Sequence, residues 1–478
     1  MTDPGRAARR RALLAASGYG AVVTLTDLLT PRMRYAYVHR ITAAIMHGPL
    51  PVLSSTAAMA SPRAGAESPE PIARITCALA TDGLDVGGIG SVIEMLAGGL
   101  PSAGVRPVVV CRGDGVRAAR LRTAGIEVRP VATAGEAAAA LRDVDVVALH
   151  SAPGYLEEAA VDSGLPLVIA MHNTEIHFTR GRWATFRALL HRAAVGVAVS
   201  ETVRDFHARH VPAEDVPRMR VVENGAPEAP PATGAERAAA RDALSGVLGV
   251  PLGDDVVFVC LARYDSQKNV AGTVASFLHA LDTRLTGARF VYAGDPSDWV
   301  ELRRADAIRR SSPHAGRVHL LGSSDARTLL LAADAFLLNS FFEGWAVAAT
   351  EAAATGLPLV LSDVGGGAEL VAFDPARSVL VPNATGEAAA VSDARVASAR
   401  RHSRRQSNRD ALADALAVTA HRVRADPVRR VPPGIRSGIA DMVQGHAAAM
   451  THAFGIRDVG ADLGTRADPG TRADENGG

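Results

Sequence analysis

The stretch "NSFFEGWAVAATEAAATGLPLVLSDVGGGAEL", residues 339–370, predicts a strand, a short loop, a helix and a second strand in direct succession. The helix is expected from Trp345 to Thr355. Gly356 supplies its C-terminal stop, and Pro358 prevents it from continuing. Strands that alternate with helices in this way are typical of an α/β protein with a parallel sheet.

Two glutamates flank the first turns of this helix. Glu343 lies directly before it and Glu351 eight residues later, which brings both carboxylates to roughly one face. Glu343 can accept hydrogen bonds from sugar hydroxyls, while the free N–H groups of the first turn can bind a diphosphate. The alternative is a glutamate that only favours the helix dipole, followed by an exposed one. Because the residues between them are mainly Trp, Ala, Val and Thr, an unpaired Glu351 would be costly to bury.

The same alternation extends in both directions from this stretch, beginning at residue 72. The apolar runs are continuous, as expected for strands that helices cover on both faces. The segment "APEAPPATG" at 226–234 interrupts the series, so we predict two doubly wound domains with a ligand cleft at the carboxyl ends of their strands. The runs are "IARITCALA", "VRPVVVC", "DVVALH", "PLVIAMH", "VGVAVS" and "RMRVVENG", then "DVVFVCLARY", "ARFVYAGD", "RVHLLG", "ADAFLLNS", "LPLVLSD" and "SVLVP".

The domain limits follow from these patterns. We predict a first Rossmann-like domain at 72–228, a second at 229–390, and a basic linker with C-terminal helices at 391–455. Residues 1–71 are expected to be a flexible extension and 456–478 a disordered tail. For the extension the alternative is a membrane-associating segment. For the basic stretch "ARVASARRHSRRQSNRD" the alternative to a solvated linker is a patch for anionic lipid headgroups.

Composition excludes some classes of function. A net charge of +1 gives no electrostatic reason to expect a nucleic-acid partner, and 4% aromatic residues argue against base-stacking platforms. Cys77, Cys111 and Cys260 lie in predicted strands without C-x-x-C spacing. They are therefore expected to be reduced and buried, which suits a cytoplasmic protein.

The segment "LARYDSQKNV", residues 261–270, holds the one lysine of a chain with 51 lysines and arginines. Lysine is a compact point charge, whereas arginine is a broad planar fork. A site that needs the charge and rejects the fork would keep Lys268, five residues after Arg263. The alternative is chance retention on a helix surface.

Glycines and histidines follow other predicted strands. Gly87, Gly88 and Gly90 form a turn that opens a helix and lets backbone N–H groups approach a phosphate, although an ordinary tight turn is the alternative. His150 and His172 end strands and are expected to face the cleft. Their alternative is a structural imidazole with satisfied hydrogen bonds.

Several of these motifs resemble one known family. "FFEGWAVAATEAAATGLPLVLSDVGG" resembles the E-x7-E signature of the family-4 retaining glycosyltransferases of bacterial type, which have the GT-B fold. "LARYDSQKN" resembles their "GRL…KN" motif with Tyr264 at the variable position, "GGIGSVIEMLAGGL" their glycine loop, and "VENG" the end of their first domain. The likeness covers residues 72–390 in the family's order, and it implies that the domain at 72–228 is the acceptor side and the domain at 229–390 the donor side.

The resemblance implies roles for individual residues. Glu343 would bind hydroxyls of the donor sugar, Glu351 the ribose, and Arg263 with Lys268 the diphosphate. His172 would lie near the reacting centre, and His150 matches a looser pattern. The backbone from Gly344 through Trp345 and Ala346 to Val347 would serve sugar and phosphates, as would the glycine loop. Pro296 departs from the family's glycine-rich turn after Gly294 and Asp295, which removes support for a role there.

The resemblance implies a glycosyltransferase that uses a nucleotide-diphosphate sugar and no metal or other cofactor. We expect it to act with retention in cell-envelope glycan, glycolipid or small-glycoside synthesis, in the cytoplasm or at the inner face of the membrane. The sequence leaves the donor, acceptor and oligomeric state open. The alternatives are a sugar-nucleotide epimerase of GT-B fold and a non-catalytic partner subunit.

Overall fold

The computed structural model of the protein describes residues 4–29, 33–55, 74–84, 87–226 and 232–464. Their strands form two sheets in which all pairs of neighbours are parallel. The first sheet contains β1 (Ile75–Thr81), β2 (Val105–Cys111), β3 (Glu127–Pro130), β4 (Val146–His150), β5 (Leu167–Met171), β6 (Val195–Ala198) and β7 (Met219–Val221), in the order β3-β2-β1-β4-β5-β6-β7. The second contains β8 (Val256–Leu261), β9 (Ala288–Ala293), β10 (Val318–Leu321), β11 (Ala335–Leu338), β12 (Leu359–Ser362) and β13 (Val379–Val381), in the order β10-β9-β8-β11-β12-β13.

Helices connect these strands and cover both faces of each sheet, so the predicted pair of doubly wound α/β domains is confirmed. The helices of the first domain are α3 (Gly88–Gly99), α4 (Val116–Thr123), α5 (Ala134–Ala140), α6 (Gly154–Asp162), α7 (Arg180–Arg192) and α8 (Glu201–Ala208). Those of the second are α9 (Gly234–Leu248), α10 (Val270–Thr283), α11 (Trp299–Arg310), α12 (Ala326–Ala332), α13 (Val347–Ala354) and α14 (Gly367–Ala372). Before β1 lie α1 (Pro4–Thr26) and α2 (His39–Met46), and after β13 lie α15 (Asp393–Arg401), α16 (Arg409–Ala425) and α17 (Pro433–Gly464).

The strands are buried because their side chains meet helices on both faces. Cys77, Cys111 and Cys260 are buried, free thiols within β1, β2 and β8, as predicted. Edge strand β3, with the sequence EVRP, is absent from the predicted series. Its side chains are exposed or half-buried, so it lacks the apolar run that identifies the central strands.

The N-terminal extension is not a flexible segment where the structure describes it. Helix α1 packs along α11 of the second domain, and α2 contacts the same helix. The chain then follows the end of β10, where the Gly322 N–H donates to the Pro51 carbonyl (2.8 Å) and the Asp325 N–H to the Leu53 carbonyl (2.8 Å). The prediction missed this because α1 has only a narrow buried stripe, formed by residues such as Ala16 and Val23.

The C-terminal helix α17 returns to the first domain and packs on α3 and on the central strands of its sheet. At the crossing, a Cβ on Gly225 would lie 2.3 Å from the Ile439 nitrogen, so only glycine permits this approach. Helix α17 extends to Gly464 and so includes 456–464 of the predicted tail, whereas 465–478 lie outside the described residues. The limits 72–228 and 229–390 stay predictions, since 56–73 and 227–231 are also outside.

The basic stretch 394–410 is not a solvated linker, because several of its side chains are buried and paired. Arg400 donates to Glu301 on α11 (2.8 and 3.0 Å) and to Asp27 of the N-terminal segment (2.5 Å). Asn408 donates to the Asn339 side chain (2.9 Å) after β11. A buried charge is tolerated only when its partners are also fixed, so this stretch ties the N-terminal helices to the second domain.

Within the described part of the chain, no helix combines the length and the apolar character needed to cross a bilayer.

We expect Arg400→Ala to lower the free energy of unfolding by about 3–5 kcal/mol, because it leaves the carboxylates of Glu301 and Asp27 buried without their main partner. Urea unfolding followed by circular dichroism measures the change. Arg395→Ala, an exposed change on the same helix, is the matched control and should alter stability by less than about 0.5 kcal/mol. Equal effects of the two substitutions would contradict the structural role of Arg400.

Candidate functional site

The two domains meet at the carboxyl ends of their central strands. Gly344, after β11, lies so close to the end of β5 that a Cβ would stand 1.7 Å from the His172 carbonyl oxygen. The Ser200 hydroxyl, after β6, donates to the Gly344 carbonyl (3.1 Å). The Glu201 N–H donates to the Glu369 carboxylate (2.9 Å). The predicted site residues Gly344 and His172 are therefore brought together from opposite domains.

A buried ion pair occupies this junction on the side of the second domain. The Lys268 Nζ lies 2.6 Å from Glu343 Oε1, and both side chains are largely buried. The Gln267 amide donates to Glu343 Oε2 (3.2 Å) and to the Phe342 carbonyl (2.9 Å). The sequence singled out Lys268 and Glu343, and the structure places them in direct contact. Both oxygens of the carboxylate are thus held by side chains that follow β8.

The loop that carries Lys268 is held by further polar contacts. Asp265 accepts from the Lys268 N–H (3.1 Å), and burial raises the pKa of its carboxyl while Arg263 and Lys268 oppose the rise. Asn269 adopts a left-handed conformation (φ 51°), and its amide exchanges two hydrogen bonds with Gln406 (2.7 and 2.9 Å). Gln406 comes from the basic stretch, and nothing in the sequence indicated that it would support this loop.

Arg263 lies at the end of β8 with its side chain 58% exposed, 3.1 Å from Asp265. It is therefore on the same loop as Lys268 and remains open to solvent, as a group that binds a diphosphate must be. No hydrogen bond joins Arg263 to Glu343, so the structure places these two on one loop system without bringing them into contact.

Helix α13 begins at Val347, two residues later than predicted, since Trp345 and Ala346 form the turn that precedes it. The Trp345 indole is buried and donates to the Thr350 hydroxyl (2.8 Å). Its ring packs against Gly366, where an added Cβ would lie only 2.1 Å from the ring. Its side chain thus fixes the turn, which leaves its backbone as the part that can face a ligand.

Glu351 is half-buried on α13, and its carboxylate has no hydrogen bond or ion pair with the described residues. Burial raises the pKa of its carboxyl, and the Arg117 guanidinium of the first domain opposes this rise. Arg117 also donates to the Ser91 hydroxyl on α3 (2.8 Å) and pairs with Glu94. Arg117 lies outside the motifs, so nothing in the sequence indicated that it would approach Glu351.

The glycine turn opens α3 opposite α13. Gly87 is the residue before the helix, Gly90 is buried, and a Cβ on Gly88 would lie 3.9 Å from Val347. The N-termini of α3 and α13 thus approach each other across the cleft, as the predicted phosphate-binding role requires.

Three buried histidines form a cluster behind the junction. His150 Nδ1 lies 2.9 Å from His172 Nε2, and the His446 ring of α17 stacks on His150 with centroids 5.8 Å apart. Burial lowers the pKa of His172 to about 4 and that of His446 to about 3, and it lowers the pKa of His150 well below 6.5. All three are therefore neutral. His446 was not identified from sequence, because it lies in a C-terminal helix without a motif.

Among the described residues, no group of three or more His, Cys, Asp or Glu side chains is arranged to hold a metal ion. The buried cationic group at the junction is instead the ammonium of Lys268.

Each domain is similar to a family model of glycosyltransferases. A model described as "Glycosyltransferase Family 4" matches residues 86–229, and one described as "Glycosyl transferases group 1" matches 255–395. The chain is also 28% identical over 237 residues to the GDP-mannose:cellobiosyl-diphosphopolyprenol α-mannosyltransferase of Xanthomonas campestris. That match covers 47% of this chain and 57% of the relative, so little more than half of the relative is spanned.

Solved structures share the two-domain architecture. Anabaena HepE in complex with UDP-glucose is similar with a TM-score of 0.57 at 18% identity, covering 82% of this chain and all of HepE. The sucrose-phosphate synthase of Thermosynechococcus elongatus has a TM-score of 0.57 at 16% identity, over 81% of this chain and all of the synthase. The fold is therefore GT-B, which confirms the predicted fold class.

Proposed function

We propose that this protein transfers a hexose-type sugar from a nucleotide-diphosphate sugar to an acceptor with retention of the anomeric configuration. The observation that carries the proposal is the buried contact between Lys268 and Glu343 (2.6 Å), directly beside the junction of Gly344 with His172. The sugar and the diphosphate lie on the two sides of one glycosyl–phosphate bond. A carboxylate that binds sugar hydroxyls and a cation that binds the diphosphate therefore need to be adjacent.

The proposed chemistry is stabilisation of the leaving group. Breaking a glycosyl–phosphate bond develops negative charge on the diphosphate, and fixed cations favour that charge more in the transition state than in the ground state. Lys268 and Arg263 follow the same strand, β8, and would supply these cations. In this proposal they take over the neutralisation that a metal provides elsewhere, so no metal or other cofactor is required.

The remaining residues take supporting roles in this proposal. Glu351 would bind the ribose, the turn from Gly344 to Val347 and the glycine loop would contact sugar and phosphates, and His172 would lie by the reacting carbon. We extend the proposal to an acceptor in cell-envelope glycan, glycolipid or small-glycoside synthesis, used by a cytoplasmic enzyme at the inner face of the membrane. The name of the Xanthomonas relative, which includes a diphosphopolyprenol acceptor, favours the lipid-linked class.

We expect one sugar nucleotide from a panel of UDP-, GDP- and ADP-sugars to raise the melting temperature and to be hydrolysed slowly, without added metal. Lys268→Ala should abolish the shift and lower the hydrolysis rate about a hundredfold, since it removes a donor from the developing charge. Lys268→Arg should restore little of either, because a planar fork does not replace a buried point charge beside Glu343. Thermal shift and nucleotide release measure both effects.

The matched control is Arg284→Ala, which removes an exposed cation of the same domain and should leave binding and hydrolysis unchanged. A donor that binds only with a divalent cation would contradict metal independence. Once an acceptor is found, NMR of the product should show the anomeric configuration of the donor. Epimerisation of the donor sugar without acceptor would identify an epimerase instead, and failure of every donor to bind would favour a non-catalytic subunit.

The buried histidines predict an acid-sensitive fold. Each has a lower pKa in the folded protein than in the unfolded chain, so the unfolded state binds more protons below about pH 6.5 and stability falls as the pH decreases. His446→Leu removes one such group. Between pH 7 and pH 5 the free energy of unfolding should fall by about 2 kcal/mol less in the variant than in the wild type. Urea unfolding at the two pH values measures this difference.

His452→Leu, an exposed change on the same helix α17, is the matched control and should keep the wild-type pH dependence. If His446→Leu lost as much stability over this range as the wild type, His446 would not be a buried neutral imidazole in the folded protein.

A further inference from the structure

The N-terminal segment exposes a row of large apolar side chains. Tyr37, Ile41 and Ile45 are 64%, 60% and 74% exposed, and their four-residue spacing places them on one face of the helical run that ends with α2. Leu25 and Leu28, near the end of α1, are 65% and 78% exposed. Rows of this kind are uncommon on soluble surfaces and mark a site of interaction.

The opposite side of this run is fixed to the second domain, so the row is held in place. The His39 ring lies 3.3 Å from the Asp298 carboxylate, and Arg303 donates to the Met46 carbonyl (2.6 and 3.0 Å). Thr42 is buried between them. The apolar row is thus presented outward by a helix whose inner side is anchored.

The exposed charges of this segment are positive. Asp27 is the one carboxylate in residues 4–29 and 33–55, and it is buried against Arg400 and Arg34. Arg10, Arg11 and Arg40 are exposed. Within these described ranges the surface therefore combines apolar side chains with positive charges and no exposed carboxylate, which is the chemistry of a helix that lies on an anionic membrane.

A basic cavity of about 420 Å³ lies beside the same segment, between α1 and residues 401–405. No carboxylate is found among the described residues that line it. Arg304, only 4% exposed, is one of four arginines in its lining, and its Nη1 group has no hydrogen-bond partner among the described residues. The nearby carboxylates of Glu301 and Asp27 do not line the cavity and are paired with Arg400, so the lining keeps an excess of positive charge that suits an anion such as a phosphate. Its polar lining comprises Ser17, Thr24, Arg304, Arg401, Arg404 and Arg405, with His402 and Ser403.

We propose that the apolar row (Tyr37, Ile41 and Ile45) and the arginine cavity together dock this protein on an anionic lipid bilayer. The row would enter the interfacial region, and the cavity would take a lipid phosphate. A second copy of the chain is a poorer occupant, because the same arginines would face each other across the contact. This inference rests on the membrane location in the proposed function. Vesicle binding requires neither donor nor acceptor, so membrane docking and glycosyl transfer can be disproved separately.

The test is flotation of the full chain with vesicles of phosphatidylcholine alone or mixed with phosphatidylglycerol. We expect binding to the mixed vesicles only, with a decrease at high salt. Ile41→Ser with Ile45→Ser should reduce the bound-to-free ratio at least about tenfold, and Arg401→Gln with Arg405→Gln about tenfold. Circular dichroism and the melting temperature verify that the variants fold.

Matched controls come from exposed positions elsewhere: Val116→Ser with Val418→Ser, and Arg142→Gln with Arg220→Gln. Both pairs should bind vesicles like the wild type. Equal binding to both kinds of vesicle, or loss of binding in the controls, would overturn the proposal. Stabilisation by inorganic phosphate without binding to any vesicle would also overturn it. So would conversion of a dimer to a monomer by Ile41→Ser with Ile45→Ser, seen in light scattering, without a change in vesicle binding.

Discussion

The ammonium of Lys268 and the carboxylate of Glu343 are removed from most solvent, and neither charge can be kept there without the other. This constraint explains much of the surrounding second domain. Gln267 holds the second oxygen of the carboxylate, Asp265 holds the backbone of the lysine, and Gln406 holds Asn269. Each contact limits how far the pair can move, which is the preorganisation that electrostatic stabilisation of a leaving group needs.

The terminal segments support this arrangement from opposite sides. The N-terminal helices pack on α11 of the second domain although they precede the first domain in sequence, while α17 returns from the second domain to cover the first. The chain therefore passes between the domains at both ends as well as at the central connection. His446 illustrates the consequence, since a residue of α17 contacts the histidine pair that ends at the domain junction.

The sequence predicted what depends on local pattern. Buried strands covered on both faces must be continuously apolar, so twelve of the strands could be located, and the motifs at their carboxyl ends identified Lys268 and Glu343. Features that depend on tertiary pairing were missed. Strand β3 is a polar edge, Arg400 is buried only because Glu301 and Asp27 come from distant segments, and α1 packs through a narrow stripe. A charged run therefore cannot be told from a solvated linker before its partners are known.

The use of arginine elsewhere in the chain clarifies why the site holds a lysine. Arginines that are buried or half-buried here bind several partners at once: buried Arg400 contacts Glu301 and Asp27, and half-buried Arg429 contacts the carbonyls of Leu330, Leu331 and Ala333. A fork fixed by so many bonds has little freedom to respond to a ligand. Lys268 carries three donors on one nitrogen, and among the described residues its side chain donates one hydrogen bond, to Glu343. The ammonium can therefore hold that carboxylate in place and still donate N–H groups to a phosphate oxygen. A guanidinium of fixed geometry could donate to the phosphate only by breaking a hydrogen bond to one of its partners.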